Sequence, residues 1–333
     1  MKSNVSDMNA LIYFFESGKW SKFDRVSQLK EADVKPGEIL VRVFSFALNP
    51  VDYKKPSLQF KSSLAGHPIG QDFSGEVVFS KSSEFAAGDF VFGTAKRCAA
   101  ELLICTETSC VKKPDTLTHL EAASLVTVAQ TGLQAMRKVK LTEGSRVLVV
   151  GASGGCGLAG VQLARSLVGK SGKVIGICSA ANSSLVEALK VTDAVLDYGN
   201  EAKLLEDLSL WGKFDCVYDT VSSWEKYDTL GGRPYAQALS PFLSPNGMIV
   251  AINGSTWQWL GAIVGWQAPR YCLFMQEPSL GDLEKTVELV GSGCLKPCID
   301  SVHPFTADGC RTAYERLKSR RAKGKICVEV VPS

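Results

Sequence analysis

The sequence predicts an α/β chain of two domains, one all-β and barrel-like, the other doubly wound around a parallel sheet. Three observations point there. Its 333 residues exceed what one ordinary core organises, at roughly 150 residues per domain. From Ala10 to about Cys110 the chain reads as short strands separated by turns. From about Thr127 to Asn253 strand-like and helix-like segments alternate, as in a parallel sheet covered by helices on both faces.

In the first region, Ile39–Phe44, Phe73–Phe79 and Asp89–Phe92 are rich in the β-branched and aromatic residues that suit a pleated surface. Lys35-Pro36-Gly37-Glu38 and Ala87-Gly88-Asp89 are turn signals between them. In the second region, Arg146–Val150 reads as a short buried strand, after which Leu158, Val161, Ala164, Leu167 and Val168 recur at helical spacing. Strand-like runs follow at Val174–Cys178, Ala194–Tyr198, Phe214–Tyr218 and Met248–Ile252. After Gln267 the pattern is mixed, and it ends in a last strand, Ile326–Val331. That tail is too short and too apolar to stand alone. It is expected to fold back onto the N-terminal β domain and leave a cleft between the domains. The boundaries are 1–128 with 268–333 for the β domain, and 129–267 for the doubly wound one.

With 45% hydrophobic and 21% charged residues the composition is that of a soluble globular chain. Thirty-seven Lys and Arg against 34 Asp and Glu give no argument for a nucleic acid or an anionic membrane as partner. The 11 cysteines are odd in number, scattered, and often inside apolar runs such as Lys173–Cys178, so buried thiols in a reducing compartment are expected rather than disulfides. Met1–Asp7 is polar and carries an acid, which suits neither a signal nor a transit peptide. Trp257–Trp266 is too short to span a bilayer. Val331-Pro332-Ser333 is neither a peroxisomal address nor a prenylation box. A cytoplasmic protein with no integral membrane segment is expected. No repeat of about 20–50 residues is present.

The most specific local signal is Val150-Gly151-Ala152-Ser153-Gly154-Gly155-Cys156-Gly157-Leu158, where the first strand of the alternating region ends and its helix begins. Glycine there lets the backbone turn tightly and approach a pyrophosphate, and the helix N-terminus presents N–H groups to it. Ala152-x-Gly154-x-x-Gly157 is the dinucleotide fingerprint with alanine for its first glycine, in the strand–turn–helix context that fingerprint needs. About 20 residues on, where an Asp or Glu would hold the ribose hydroxyl of NAD, stands Ile177-Cys178-Ser179-Ala180-Ala181-Asn182-Ser183-Ser184, with no acid before Glu187. Ser179, Asn182, Ser183 and Ser184 can donate to a 2′-phosphate, although no Lys or Arg of the loop pairs with one. NADPH is therefore favoured over NADH.

Several segments resemble the zeta-crystallin-like quinone oxidoreductases of the medium-chain dehydrogenase/reductase superfamily, across nearly the whole chain. They are Asn49-Pro50-Val51-Asp52-Tyr53-Lys54, Gly70-Gln71-Asp72-Phe73-Ser74-Gly75, Ala99-Ala100-Glu101-Leu102, Val111–Asp115 with Glu121–Ser124, Phe214–Val221 and Arg321–Lys325. The resemblance implies a GroES-like β-barrel catalytic domain, a Rossmann domain of about six strands, and a homodimer. It also implies that Gly151, Ala152, Ser153, Gly154, Gly155, Cys156 and Gly157 hold the pyrophosphate. Ser179, Ser183 and Tyr198 would meet the 2′-phosphate, Thr131 and Asn253 the nicotinamide, and Lys325 the closing loop. Asn49 and Tyr53 fall at the substrate cleft.

The zinc-dependent members of that superfamily need a Cys, a Gly-His-Glu and a further thiolate. Here Ala47-Leu48-Asn49 holds no cysteine, Gln71 stands at the histidine position, and His67 is offset from it. Cys98, Cys105 and Cys110 are spaced too widely for a structural zinc lobe, and Cys294-Leu295-Lys296-Pro297-Cys298 has no second pair, so no metal site is expected. His119 and His303 read as surface or satisfied histidines, and Cys156 as a packing residue whose place at a helix N-terminus also suits redox chemistry. Tyr53 is the candidate acid for a developing oxyanion, or else simply lines an apolar pocket. A quinone or another conjugated carbonyl is the expected substrate, because a hydroquinone anion takes its proton from solvent and needs little acid–base machinery. The alternatives are an enoyl or 2-alkenal reductase on the same fold, and a non-catalytic NADPH-binding structural or regulatory protein. Core burial is the favoured reading of the aromatic segment Trp257–Trp266, ahead of contact with substrate, a membrane surface or a second subunit.

Overall fold

The structure is a computed structural model that describes residues 8–13, 20–26, 29–53, 69–222 and 229–331. The readings placed on Met1–Asp7, Lys54, His67 and the last two residues lie outside these. The chain divides into two compact units, Met1–Thr127 with Pro278–Gly291 and Pro297–Ser333, and Val128–Glu277 with Ser292–Lys296.

The first unit opens with an antiparallel pair, β1 (Met8–Tyr13) and β2 (Trp20–Val26). Its frame is β3 (Glu38–Leu48), 11 residues long and buried over most of its length. β4 (Asp72–Ser80) pairs with β3, β5 (Phe90–Thr94) with β4, and β7 (Cys110–Lys112) with β5, all antiparallel. β6 (Leu102–Thr106) pairs with the first half of β3, and a 3-10 turn, Glu107–Ser109, joins it to β7. The first half of β3 is thus flanked by β4 on one side and β6 on the other, and the short turn from β6 to β7 links the two ends of the strand order β6-β3-β4-β5-β7 along the chain. Helix α1 (His119–Lys138) follows.

The second unit carries a parallel sheet in the order β10-β9-β8-β11-β14-β15. Its strands are β8 (Arg146–Val150), β9 (Lys173–Cys178), β10 (Ala194–Asp197), β11 (Phe214–Asp219), β14 (Leu243–Ala251) and β15 (Tyr271–Leu273). β8, β9 and β11 are buried almost end to end, as their unbroken apolar runs require of central parallel strands. Between the strands run helices α2 (Gly155–Val168), α3 (Ser183–Glu187), α4 (Glu201–Leu210) and α5 (Tyr235–Leu239), with a two-residue ladder of β12 (Thr229–Leu230) and β13 (Arg233–Pro234). Leu204 and Leu208 of α4 and Ala238 and Leu239 of α5 join Leu148, Ile175 and Val217 in one core. The order reverses direction at β8, whose helix α2 and neighbour β11 begin and end at the same rim. This is the topological switch point where open α/β sheets bind ligands.

Trp257–Trp266 departs from the core burial expected of it. Ser255 and Gln258 cap each other's backbone N–H groups and start α6 (Thr256–Ile263), an eight-residue helix whose residues beyond Gln258 are all apolar or glycine. A helix on a surface buries one face only, so Trp257 is 81% exposed and, beyond the helix, Trp266 is 86% exposed.

The chain then returns to the first unit through α7 (Leu280–Gly291), β16 (Ile299–Pro304), α8 (Ala307–Lys318) and β17 (Lys325–Glu329). β17 lies parallel to β16 and antiparallel to the second half of β3, so the apolar tail folds back as its sequence demands. Cys310, Ala313 and Leu317 of α8 pack into the same core as Phe46, Phe73 and Ile326.

Candidate active site

β8 ends at Val150, and Gly151 turns the chain with φ +78°, a conformation that side chains other than glycine rarely adopt. The N–H groups of Gly151 and Ala152 both donate to Ile177 O at 2.9 Å, which fixes the turn against β9. A Cβ on Gly157 would stand 2.0 Å from Gly151 O and 2.7 Å from Ala152 Cα, so only glycine lets α2 begin this close to the turn. Gly154 is the N-cap residue and, having no side chain, offers the first N–H groups of α2 no acceptor; the first helical turn carries no acid. An anion seated there would act as the missing cap. These features fit a dinucleotide pyrophosphate.

Across the switch point, Thr220 donates to Val150 O through its N–H at 3.2 Å and its hydroxyl at 2.7 Å. Asp219, buried at the end of β11, accepts from the N–H groups of Val221 at 2.9 Å and Ser222 at 3.0 Å, and from the Ser222 hydroxyl. Asp219 and Thr220 fall within Phe214–Val221, a segment of the resemblance that carries no assigned role, and the strand order is what brings them beside Gly151.

Ser179, Ser183 and Tyr198 come together at the ends of β9 and β10. Ser183 Oγ donates to Ala180 O at 3.0 Å, the Tyr198 N–H to Cys178 O at 3.2 Å, and Asn182 Nδ2 to Ser153 Oγ at 3.3 Å, tying this corner to the turn. The sequence shows no acid in the loop itself. The register of β9 with β10, however, sets Asp197 beside Cys178, and one carboxylate oxygen of Asp197 accepts from the N–H groups of Ala180 at 2.9 Å and Gly199 at 3.0 Å. An acid from the next strand thus reaches a corner that reads as acid-free along the chain. Thr131 is buried in α1, and Asn253 is half-buried just past the end of β14.

In the first unit, Asn49, Asp72 and Lys325 meet where β3 ends and β4 and β17 begin. Lys325 Nζ donates to Leu48 O at 2.9 Å, Asn49 Oδ1 at 2.6 Å and Asp72 Oδ2 at 3.1 Å, which uses all three ammonium hydrogens. Asn49 Nδ2 donates to Asp72 Oδ2 at 2.8 Å, and Thr127 Oγ1 donates to the other oxygen of Asp72. Asp52 accepts from the Asn49 N–H at 2.7 Å. Asn49, Asp52, Asp72 and Lys325 are all buried, so opposite charges are compensated inside the fold. Tyr53 ends the helical turn at residues 51–53 and packs, half-buried, against the core of this unit. Asp72 and Thr127 are the members that sequence reasoning leaves without a role.

Among the described residues no three His, Cys, Asp or Glu side chains stand close enough to hold a metal ion. Asn49, the last residue of the cysteine-free stretch Ala47–Asn49, is committed to Lys325 and Asp72. Cys98, Cys105 and Cys110 are buried, the last two with their sulfurs 4.0 Å apart. Cys294 is exposed and Cys298 half-buried. The Ser74 hydroxyl donates to Val91 O at 3.0 Å and stands 2.8 Å from His119 Nδ1; its single proton is then spent, so Nδ1–H donates to it and His119 is a satisfied histidine. His303 Nε2 stands 3.0 Å from Ser301 Oγ.

The family model described as the alcohol dehydrogenase GroES-like domain matches residues 35–118, and that described as zinc-binding dehydrogenase matches residues 189–328. A chloroplast envelope quinone oxidoreductase homolog of Arabidopsis thaliana is 31% identical over 343 residues, covering 97% of this chain and 98% of that protein. A trans-enoyl reductase of Aspergillus terreus is 30% identical over 318 residues, covering 89% of this chain and 87% of its own length. The structure of the quinone oxidoreductase from Coxiella burnetii superposes with a TM-score of 0.80 at 25% identity, covering 98% of this chain and all of that one. With a glycine turn at the switch point of a six-stranded parallel sheet, a β unit that the GroES-like family model matches, and relatives matched over nearly their whole length, this chain belongs to the medium-chain dehydrogenase/reductase superfamily of oxidoreductases.

Proposed function

We propose that the chain is an NADPH-dependent quinone reductase that works without zinc. The observation that carries the reading is the turn Gly151–Gly157, with its uncapped helix N-terminus at the switch point. NADPH, when bound, supplies a hydride. The first N–H groups of α2, from Gly155 to Gly157, hold its pyrophosphate above the glycine turn, Ser179, Ser183 and Tyr198 its 2′-phosphate, and Thr131 and Asn253 its nicotinamide end. The protein's remaining work is to orient the acceptor and exclude water. Asn49 keeps its amide in one orientation because Lys325 takes its oxygen and Asp72 its nitrogen. Tyr53 holds the proton that a developing oxyanion attracts. Quinone is favoured because Ala47–Asn49 holds no cysteine and Gln71 stands in place of the imidazole of the zinc enzymes, and a hydroquinone anion needs neither a thiolate-bound metal nor an imidazole.

The second reading, reduction of a carbon–carbon double bond beside a carbonyl, is favoured by the trans-enoyl reductase among the relatives. It needs a proton at the α-carbon, so Tyr53→Phe should slow an enal at least tenfold more than a quinone. The deciding measurement is NADPH and NADH consumption with an ortho-quinone, an enal and an alcohol/NADP+ pair, with and without chelator. Chelator-insensitive, NADPH-preferring turnover of the quinone is expected. Faster enal turnover would move the assignment to the second reading. NADPH binding without turnover of any substrate would make the protein a non-catalytic binder.

A further inference from the structure

Cys156 is the second residue of α2 and is half-buried, whereas Cys98, Cys178, Cys216 and Cys327 are buried. Beneath it lies Tyr218 of β11. The Tyr218 ring occupies the space beside Gly160, where an added Cβ would stand 2.8 Å from Cδ1 and Cε1. Gly160 and Cys156 are one helical turn apart on the same face, so the phenol runs up the helix toward the thiol. The Tyr218 hydroxyl is fully buried and has no hydrogen-bond partner at bonding geometry. Burial first, and then the Cys156 thiol beside it, push this phenol well above its ordinary range, so it stays protonated and remains a donor. A buried donor lacking an acceptor is costly, and a thiolate at position 156 supplies one. The positive end of α2, with no acid in its first turn, favours the same anion.

We propose that Cys156 is a modification site for soft carbon electrophiles, and that an α,β-unsaturated carbonyl compound adds to it and closes the phosphate turn. The sulfur lone pair forms a bond to the β-carbon. The π pair moves onto the carbonyl as an enolate, and the α-carbon then takes one proton from solvent, replacing the one the thiol lost. No oxidant or reductant is required. The adduct and the pyrophosphate compete for the same few ångströms above Gly154–Gly157. Substrate arriving in excess of nucleotide therefore shuts the site, and bound nucleotide protects it. This rests on the reading of the turn as a nucleotide site and of conjugated carbonyls as substrates.

The test is timed labelling of the full chain with N-ethylmaleimide, followed by peptide mass mapping of all the cysteines, with and without saturating NADPH. Cys156 should react at least about tenfold faster than the half-buried Cys272 and Cys298, and NADPH should slow it at least about tenfold. NADPH fluorescence enhancement should fall in proportion to label at Cys156. Tyr218→Phe, which removes the donor and leaves the ring, should slow Cys156 labelling several-fold while Cys298 is unchanged. Should that variant not fold, the pH profile of wild-type labelling serves instead, and half-maximal reactivity well below the ordinary thiol range of about 8.5 is expected. Equal rates at Cys156, Cys272 and Cys298, an unaltered rate in the variant, or an ordinary thiol profile would overturn the proposal. Fast, Tyr218-dependent labelling in a protein that gives no NADPH signal would instead sink the nucleotide reading and leave the thiol site standing.

Discussion

Lys325 and Asp72 are 5% and 0% exposed with 3.1 Å between their charged atoms, so neither can recover water if the other is lost. Lys325→Met should therefore cost about 3–5 kcal/mol, the usual result of stranding a buried charge. Adding Asp72→Asn should return most of that, and urea denaturation of the two single variants and the double completes the cycle. A loss below about 1 kcal/mol for Lys325→Met would mean that water reaches the site. His119 makes a different prediction, through pH. Burial, and then the nearby Lys113 ammonium, lower its pKa from 6.5 to about 4. The unfolded chain therefore binds the extra proton more readily between these values. The stabilisation is complete above pH 6.5 and is lost as pH falls through about 4. A shift of this size corresponds to about 3 kcal/mol at 1.36 kcal/mol per unit, and for a ring only half-buried roughly half of that is expected. Melting curves from pH 7 to 4 should show His119→Gln losing less stability than the wild type across this range. Parallel curves would assign the acid limb to other groups.

Gly154 and Gly157 lie in the same turn yet differ in what a methyl group would meet. At Gly157 it would stand 2.0 Å from the Gly151 carbonyl oxygen, and at Gly154 it would come no closer than 3.5 Å to that atom. Gly157→Ala must push α2 off the turn, and NADPH affinity should fall about 100-fold, or roughly 2.7 kcal/mol. Gly154→Ala should stay within about fivefold, since its φ of −82° suits any residue. Titration of NADPH fluorescence separates them, and equal losses would show that the turn is not the binding element. The turn is also where the sequence is most informative, because the four-residue apolar run Val147–Val150, glycines at fixed offsets and a helical repeat are all local signals. Arg146–Val150 is read from the chain with the bounds the structure has. β15, at three residues, is too short to carry a period, and only its pairing with β14 reveals it. Asp197 escapes for another reason. Its neighbours in space belong to the preceding strand, and strand register is not written in either segment alone. The resemblance names Asn49 and Lys325 separately, but their contact spans 276 residues and exists only once β17 lies beside β3. The exposure of Trp257 and Trp266 is likewise illegible, since a mostly apolar, tryptophan-rich octad reads as core until its helix is seen at the surface.

β17 enters the first unit's sheet between β16 and β3, although β3 ends at Leu48 and β17 begins at Lys325. The chain leaves this unit at Thr127 and returns at Pro278, so its core cannot close until the final residues are made. Contacts this distant form late and slowly, because the loop must close before the contact rewards it. The second unit is nearly continuous in sequence, from Val128 to Glu277, and needs only Ser292–Lys296 besides. Removing everything after Gly324 should therefore act selectively. β16 would lose the one strand it pairs with among the described residues, α8 would lose Ile326 and Val328 from its core, and Asp72 would lose Lys325. Brief native-state proteolysis with peptide mapping should show fragments of the first unit released at least about tenfold faster than in the full chain, as expected for a part whose local opening has become easy. Peptides from β8, β9 and β11 should keep most of their protection. Equal loss of protection in both units would mean that they fold as a single cooperative body, and unchanged protection in the first would mean that the ladder β6-β3-β4-β5-β7 holds its core without the returning strand.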